Sequence, residues 1–152
     1  RNAPRFHAEP EDGRRARALV GAAEPLIAAA LKRALRGHWV EVASSGRDAV
    51  QMIEAKQGGY DLIFCDLMMP DLTGMDVFEW TKARHPQLES RFVFMTGGIF
   101  TPRAQAFLQQ VRGTNHTLDK PFDLEQVRAF VNEELLRPPD GPTLTPPSSD
   151  DT

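Results

Sequence analysis

Tyr60-Asp61-Leu62-Ile63-Phe64-Cys65-Asp66 runs directly into Leu67-Met68-Met69-Pro70-Asp71-Leu72-Thr73-Gly74. The first seven residues hold a nearly unbroken apolar run, which fits a strand buried on both faces. The strand stops on an acid, and the proline and glycine after it mark a loop. A strand covered on both sides needs helices above and below it, so the flanking sequence has to supply them.

It does so repeatedly. Ala16–Val20 reads as a first strand, and Glu24–Leu35 as a helix with apolar residues at 26, 27, 30, 31 and 34 and a stop at Gly37. Trp39–Ala43 is a short second strand, and Ser45 is placed to cap a helix running to about Gln57, where Gly58-Gly59 end it. Met75–Arg84 is helical and stops before Pro86; Arg91–Met95 is the fourth strand. Thr101-Pro102 makes an N-cap and first-turn pair for a helix through Val111. His116–Leu118 is a weak fifth strand, and Asp123 with Gln126 forms a capping box for a last helix ending near Leu136. Five strand–helix units with short connections predict an α/β fold, a doubly wound five-stranded parallel sheet with right-handed crossovers. Ligands of such sheets bind beyond the carboxyl ends of the strands, where strand order reverses. Gly21–Ala23, Asp66, Thr96 and Lys120 all fall at strand ends.

Composition removes several function classes. The 152 residues carry a formal net charge of −3 with no basic stripe, which argues against nucleic acid as a direct partner. No apolar stretch approaches the roughly 18 residues of a membrane span, and no signal peptide is recognisable. The single cysteine, Cys65, lies in the apolar strand and fits a buried thiol in a reducing cytoplasm. His7, His38, His85 and His116 show no ligand spacing with each other or with Cys65. Met68, Met69 and Met75 read as core fillers rather than as soft-metal ligands. Residues 1–15 are expected to be a flexible segment, 16–137 the folded domain, and 138–152 a disordered Pro/Ser/Asp-rich tail. The start at Arg1 rather than methionine fits a piece of a longer chain.

The acid-terminated strand with Met69-Pro70 and Gly74, Thr96 in Phe92-Val93-Phe94-Met95-Thr96-Gly97, and Lys120 in Leu118-Asp119-Lys120-Pro121-Phe122 together resemble the response-regulator receiver domain of two-component systems. Taken singly, each is an ordinary turn or cap; it is their coincidence at successive strand ends that is specific. The resemblance covers about residues 16 to 136 and implies a flavodoxin-like (βα)5 receiver fold with Asp66 as phosphoacceptor. By the same resemblance Thr96, Lys120 and Gly97 would contact the phosphoryl group, and the Lys120-Pro121 bond would be cis. Mg²⁺ would be held by Asp66 and the backbone carbonyl of Met68. A histidine kinase or phosphotransfer domain would be the partner, and the resemblance extends to the C-terminal receivers of hybrid sensor kinases.

Two departures qualify these implications. The family keeps an acidic pair after its first strand, where this chain reads Leu19-Val20-Gly21-Ala22-Ala23-Glu24-Pro25. Mg²⁺ needs oxygen ligands and usually one or two carboxylates, so its binding is expected to be weak or absent. Glu24 is a possible substitute ligand, although its place at a helix start also suits a dipole partner. Many receivers also carry an aromatic switch residue three positions before the lysine; here it is Thr117. Two receiver mechanisms stay open. One is a degenerate receiver locked by an Asp66–Lys120 pair and acting as an interaction module; the other is a working phosphoacceptor with unusual metal handling. A small flavodoxin-fold enzyme is the third reading, disfavoured because Gly21–Pro25 lacks a phosphate cradle.

Overall fold

The computed structural model describes residues 15–97 and 101–136. The expected tail and all of the expected N-terminal segment except Arg15 lie outside the described residues. Within them the chain alternates β1 (Arg17–Gly21), α1 (Pro25–Ala34), β2 (Trp39–Ala43), α2 (Gly46–Ala55), β3 (Leu62–Asp66), α3 (Gly74–Arg84), β4 (Phe92–Thr96), α4 (Pro102–Val111), β5 (His116–Asp119) and α5 (Leu124–Leu136). All strand pairs are parallel and the sheet order is β2-β1-β3-β4-β5. The order reverses between β1 and β3, so the crevice expected of such a sheet opens above their carboxyl ends.

The apolar run that suggested a doubly covered strand divides its side chains between the two faces. Ile63 and Cys65 pack with Phe92 and Phe94 under α2, α3 and α4, in a cluster that includes Ile53, Phe78 and Phe107. Leu62 and Phe64 pack with Val93 and Met95 under α1 and α5, with Leu31, Val127 and Val131. Phe78 meets Phe92, Phe94 and Phe107 edge-on, with ring centroids 5.1, 5.2 and 5.5 Å apart, a geometry that suits the ring quadrupoles. This aromatic knot fixes α3 and α4 against β4.

Helix starts follow their cap residues. The Ser45 hydroxyl accepts from Asp48 N at 3.0 Å, and Thr101 accepts from Ala104 N at 3.1 Å with Pro102 opening α4. Thr73 and Asp76 form a full capping box on α3, at the Thr-x-x-Asp spacing that sequence reading passed over. Asp123 caps α5 through Glu125 N at 2.9 Å rather than through the Gln126 pairing expected. A 3₁₀ turn over Pro86–Arg91, also unforeseen, carries the chain from α3 into β4 and buries Leu88. Of the three methionines expected to fill the core, Met69 and Met75 are buried, but Met68 is 51% exposed.

Candidate functional site

Strand ends and the loops after them build the cleft. Asp66 closes β3, opposite Met95 in the ladder, and is only 3% exposed. The loop that follows is tied down on both sides. Leu67 N donates to Met95 O at 3.1 Å, and Gly74 N donates back to Leu67 O at 2.9 Å. Gly74 has to be glycine, because a Cβ there would lie 2.2 Å from the Asp66 carbonyl oxygen. Asp71 takes a left-handed backbone (φ 65), which aspartate tolerates, and its Oδ1 accepts from Gly46 N and Arg47 N at 3.1 and 3.3 Å. The carboxylate thus sits on the positive end of α2 and anchors the loop. Sequence reading missed this role of Asp71.

Lys120 enters from the far side of the sheet. Its backbone N donates to Thr96 O at 2.8 Å, and the following Lys120-Pro121 bond is cis. Its ammonium donates to Asp66 Oδ2 at 2.6 Å and to Glu24 Oε1 at 2.9 Å, so one cation bridges two carboxylates. The other Asp66 oxygen accepts from Met68 N at 3.1 Å. Burial on its own would lower the Lys120 pKa, but hydrogen bonds and charge from Asp66 and Glu24 outweigh it and raise the value above the ordinary lysine range. Burial, helped by the Asp66 charge, pushes the neighbouring Cys65 thiol up as well.

Glu24 is the N-cap residue of α1, yet its side chain makes no cap hydrogen bond. It keeps the N-terminal place expected of a helix-dipole partner, and its carboxylate also reaches Lys120. Neither Ala22 nor Ala23 offers an oxygen side chain. Ala22 is 2% exposed and belongs to the apolar cluster under α1 and α5. Thr96 closes β4 and is 4% exposed, and its hydroxyl donates to Asp119 Oδ1 at 3.0 Å. Gly97 lies beside the Lys120 stem, where a Cβ would be 4.0 Å from Cδ. Thr117, at the switch position, is part-buried in β5. Among the described residues no three His, Cys, Asp or Glu side chains are grouped to hold a metal ion.

A buried carboxylate, a threonine and a lysine meeting above the carboxyl ends of β3, β4 and β5 place the candidate site of a small doubly wound α/β domain. The chain belongs to the response regulator receiver domain family, which it matches over residues 22–132. It is 33% identical over 98 residues to the regulatory protein LuxO of Vibrio vulnificus, covering 64% of this chain and 20% of that protein. It is 30% identical over 98 residues to the aerobic respiration control sensor protein ArcB of Escherichia coli, covering 64% of this chain and 12% of that protein. The chain therefore spans only a small part of the curated relatives it matches. The solved signal receiver domain of a LuxO repressor protein from Vibrio parahaemolyticus is similar at TM-score 0.65 and 25% identity, covering 80% of this chain and 91% of that one. A receiver domain from Clostridium thermocellum is similar at TM-score 0.67 and 25% identity, over 79% of this chain and 94% of that one. The chain carries a receiver domain of two-component signalling. No helix among the described residues is long and apolar enough to cross a membrane.

Proposed function

We propose that this receiver is impaired in phosphorylation and serves as an interaction or regulatory module, with a histidine kinase or phosphotransfer domain as its partner. Asp66 holds the phosphoacceptor position, and Thr96, Lys120 and Gly97 hold the phosphoryl-contacting ones. A cytoplasmic setting and a parent sensor kinase belong to the same proposal. The observation that carries it is the Glu24–Lys120–Asp66 bridge.

Receiver domains generally bind Mg²⁺, an ion that favours carboxylate oxygens and gives up its water reluctantly. The residues present here do not fit it. Two alanines stand where the acids would be, and the apolar burial of Ala22 leaves that side without donors. Both Asp66 oxygens are engaged, one by Lys120 and one by Met68 N. What remains is the Met68 carbonyl and Glu24, and the Glu24 carboxylate is turned to Lys120. In this chain Lys120 supplies the positive charge that faces Asp66.

Attack by Asp66 on a phosphoryl group would require an oxygen of a carboxylate that is already ion-paired and hydrogen-bonded. Phosphoryl transfer depends on positioning and on stabilising charge in the transition state. Here the single cation is shared between two carboxylates, which weakens both functions. The test is labelling from a small acyl-phosphate donor with millimolar Mg²⁺, resolved by phosphate-affinity electrophoresis. Labelling of the unaltered chain no faster than Asp66→Asn supports the proposal. Rapid stoichiometric labelling at Asp66 would instead establish the working phosphoacceptor.

A further inference from the structure

Thr96 has one hydroxyl proton, and this chain has already committed it. The hydroxyl donates to Asp119 Oδ1 at 3.0 Å, across the ladder pair formed by Thr96 and Asp119 at the ends of β4 and β5. The needs of the two groups are unequal. Asp119 is exposed and has water for its oxygens, whereas Thr96 is 4% exposed and depends on a protein acceptor. The contact therefore fixes the threonine more than it serves the aspartate. Among the described residues the Asp66, Glu24 and Asp119 carboxylates are served by one ammonium and one hydroxyl as side-chain donors.

We propose that Asp119 is a positioning residue that holds the Thr96 hydroxyl on the β5 side and competes for it with any tetrahedral oxyanion entering beside Lys120. This deepens the reading of Thr96 as a phosphoryl-contacting residue and rests on it. A hydroxyl that has given its proton to Asp119 presents only lone pairs to a phosphoryl oxygen, and these repel it. For the hydroxyl to serve an incoming anion it must first change acceptor. The full negative charge on Asp119 opposes that exchange twice, by strengthening the existing bond and by repelling the newcomer. Asp119 would thus take the place of the aromatic partner that Thr117 does not supply, by fixing the threonine in one state through a hydrogen bond.

The test is metal-free titration with inorganic phosphate, followed by NMR on the Thr96 methyl and the Gly97 and Lys120 amides. Four chains are compared: unaltered, Asp119→Asn, Asp119→Ala and Asp123→Asn. Asp119→Ala releases the hydroxyl, and Asp119→Asn keeps a neutral acceptor of the same shape. Asp123→Asn removes an equal charge four residues further along the chain without touching Thr96, since Asp123 bonds Glu125 N.

Phosphate affinity should rise about tenfold in Asp119→Ala, the effect expected when one charged hydrogen bond no longer competes. Asp119→Asn should fall between it and the unaltered chain, and the Thr96 methyl shift should change in both Asp119 variants before any phosphate is added. A gain in Asp119→Ala no more than about threefold above Asp123→Asn would overturn the proposal, since bulk charge would then explain it. Failure of phosphate to move the Thr96 methyl in any of the four chains would overturn it too. Rapid labelling of the unaltered chain would refute impaired phosphorylation while leaving this ranking of affinities untouched, so the two failures can be told apart.

Discussion

Replacing Lys120 with methionine keeps most of the side-chain volume and removes the cation that Asp66 faces. The Asp66 side chain is 5% exposed and that of Lys120 17%, while the second partner, Glu24, is 63% exposed. The two arms of the bridge should therefore differ in weight. Removing one partner of a buried pair typically costs about 3–5 kcal/mol, because the other charge is left without compensation. The cleft mouth admits some water to Lys120, and Asp66 keeps its bond from Met68 N, so the lower end, about 3 kcal/mol, applies here. The Glu24 arm, exposed and screened, adds less than about 1 kcal/mol. Urea unfolding followed by far-ultraviolet dichroism reads the difference. With a slope of about 1.5–2 kcal/mol per molar, the midpoint should fall by roughly 1.5–2 M. Adding Asp66→Asn to Lys120→Met removes the stranded charge and should restore the chain to within about 1 kcal/mol of the original. Two results would refute this reasoning: a single variant within about 0.5 kcal/mol of the original, or a double variant no more stable than the single one.

Other consequences follow from the same packing. Gly74→Ala should cost about 3 kcal/mol in thermal unfolding, because its Cβ would meet the Asp66 carbonyl oxygen at 2.2 Å. Gly97→Ala, whose Cβ would lie 4.0 Å from Lys120 Cδ, the nearest atom among the described residues, should stay within about 0.5 kcal/mol of the original. The Cys65 thiol, pushed up by burial and by the Asp66 charge, should resist alkylation in the native chain and react once the chain is unfolded in urea. Asp76 is held below the usual aspartate range by hydrogen bonds from the Arg103 guanidinium and from Thr73. Its contribution to stability is therefore present above the unfolded value of about 3.9 and is lost as pH falls through the lower folded value. Arg103→Gln should raise the Asp76 midpoint seen by NMR; an unmoved midpoint would remove Arg103 as the cause.

The sheet and its special positions were legible because each rests on local chemistry. Apolar runs, capping serine and threonine, and glycine stops specify short segments whose partners lie nearby in sequence. The ends of β1, β4 and β5 were read one residue short, whereas β2 was read to its last residue. Gly21, Asp66, Thr96 and Asp119 all pair in the ladder, although an apolar count stops before them. Backbone pairing is indifferent to side-chain polarity, so strands run on into the residues that line the cleft. What sequence could not supply were the contacts between distant segments. Glu24 and Lys120 stand 96 positions apart, and no local pattern distinguishes a helix-capping glutamate from one reaching across the cleft. Asp119 lay just past the strand as read, and its role emerges only from its register opposite Thr96. Asp71 could be placed on α2 only once the loop had folded back over Gly46.

The central claim is that an internal lysine, not a divalent cation, balances Asp66 in this cleft. Calorimetric titration with Mg²⁺ tests it most directly, comparing the unaltered chain with Ala22→Asp/Ala23→Asp and with Ala23→Asp alone, which spares the buried Ala22 position. The unaltered chain should give no saturable heat at concentrations on the order of millimolar, and the acid-bearing variants should bind and gain thermal stability as Mg²⁺ is added. Saturable submillimolar binding to the unaltered chain, lost on Glu24→Gln, would contradict the account and make Glu24 a metal ligand.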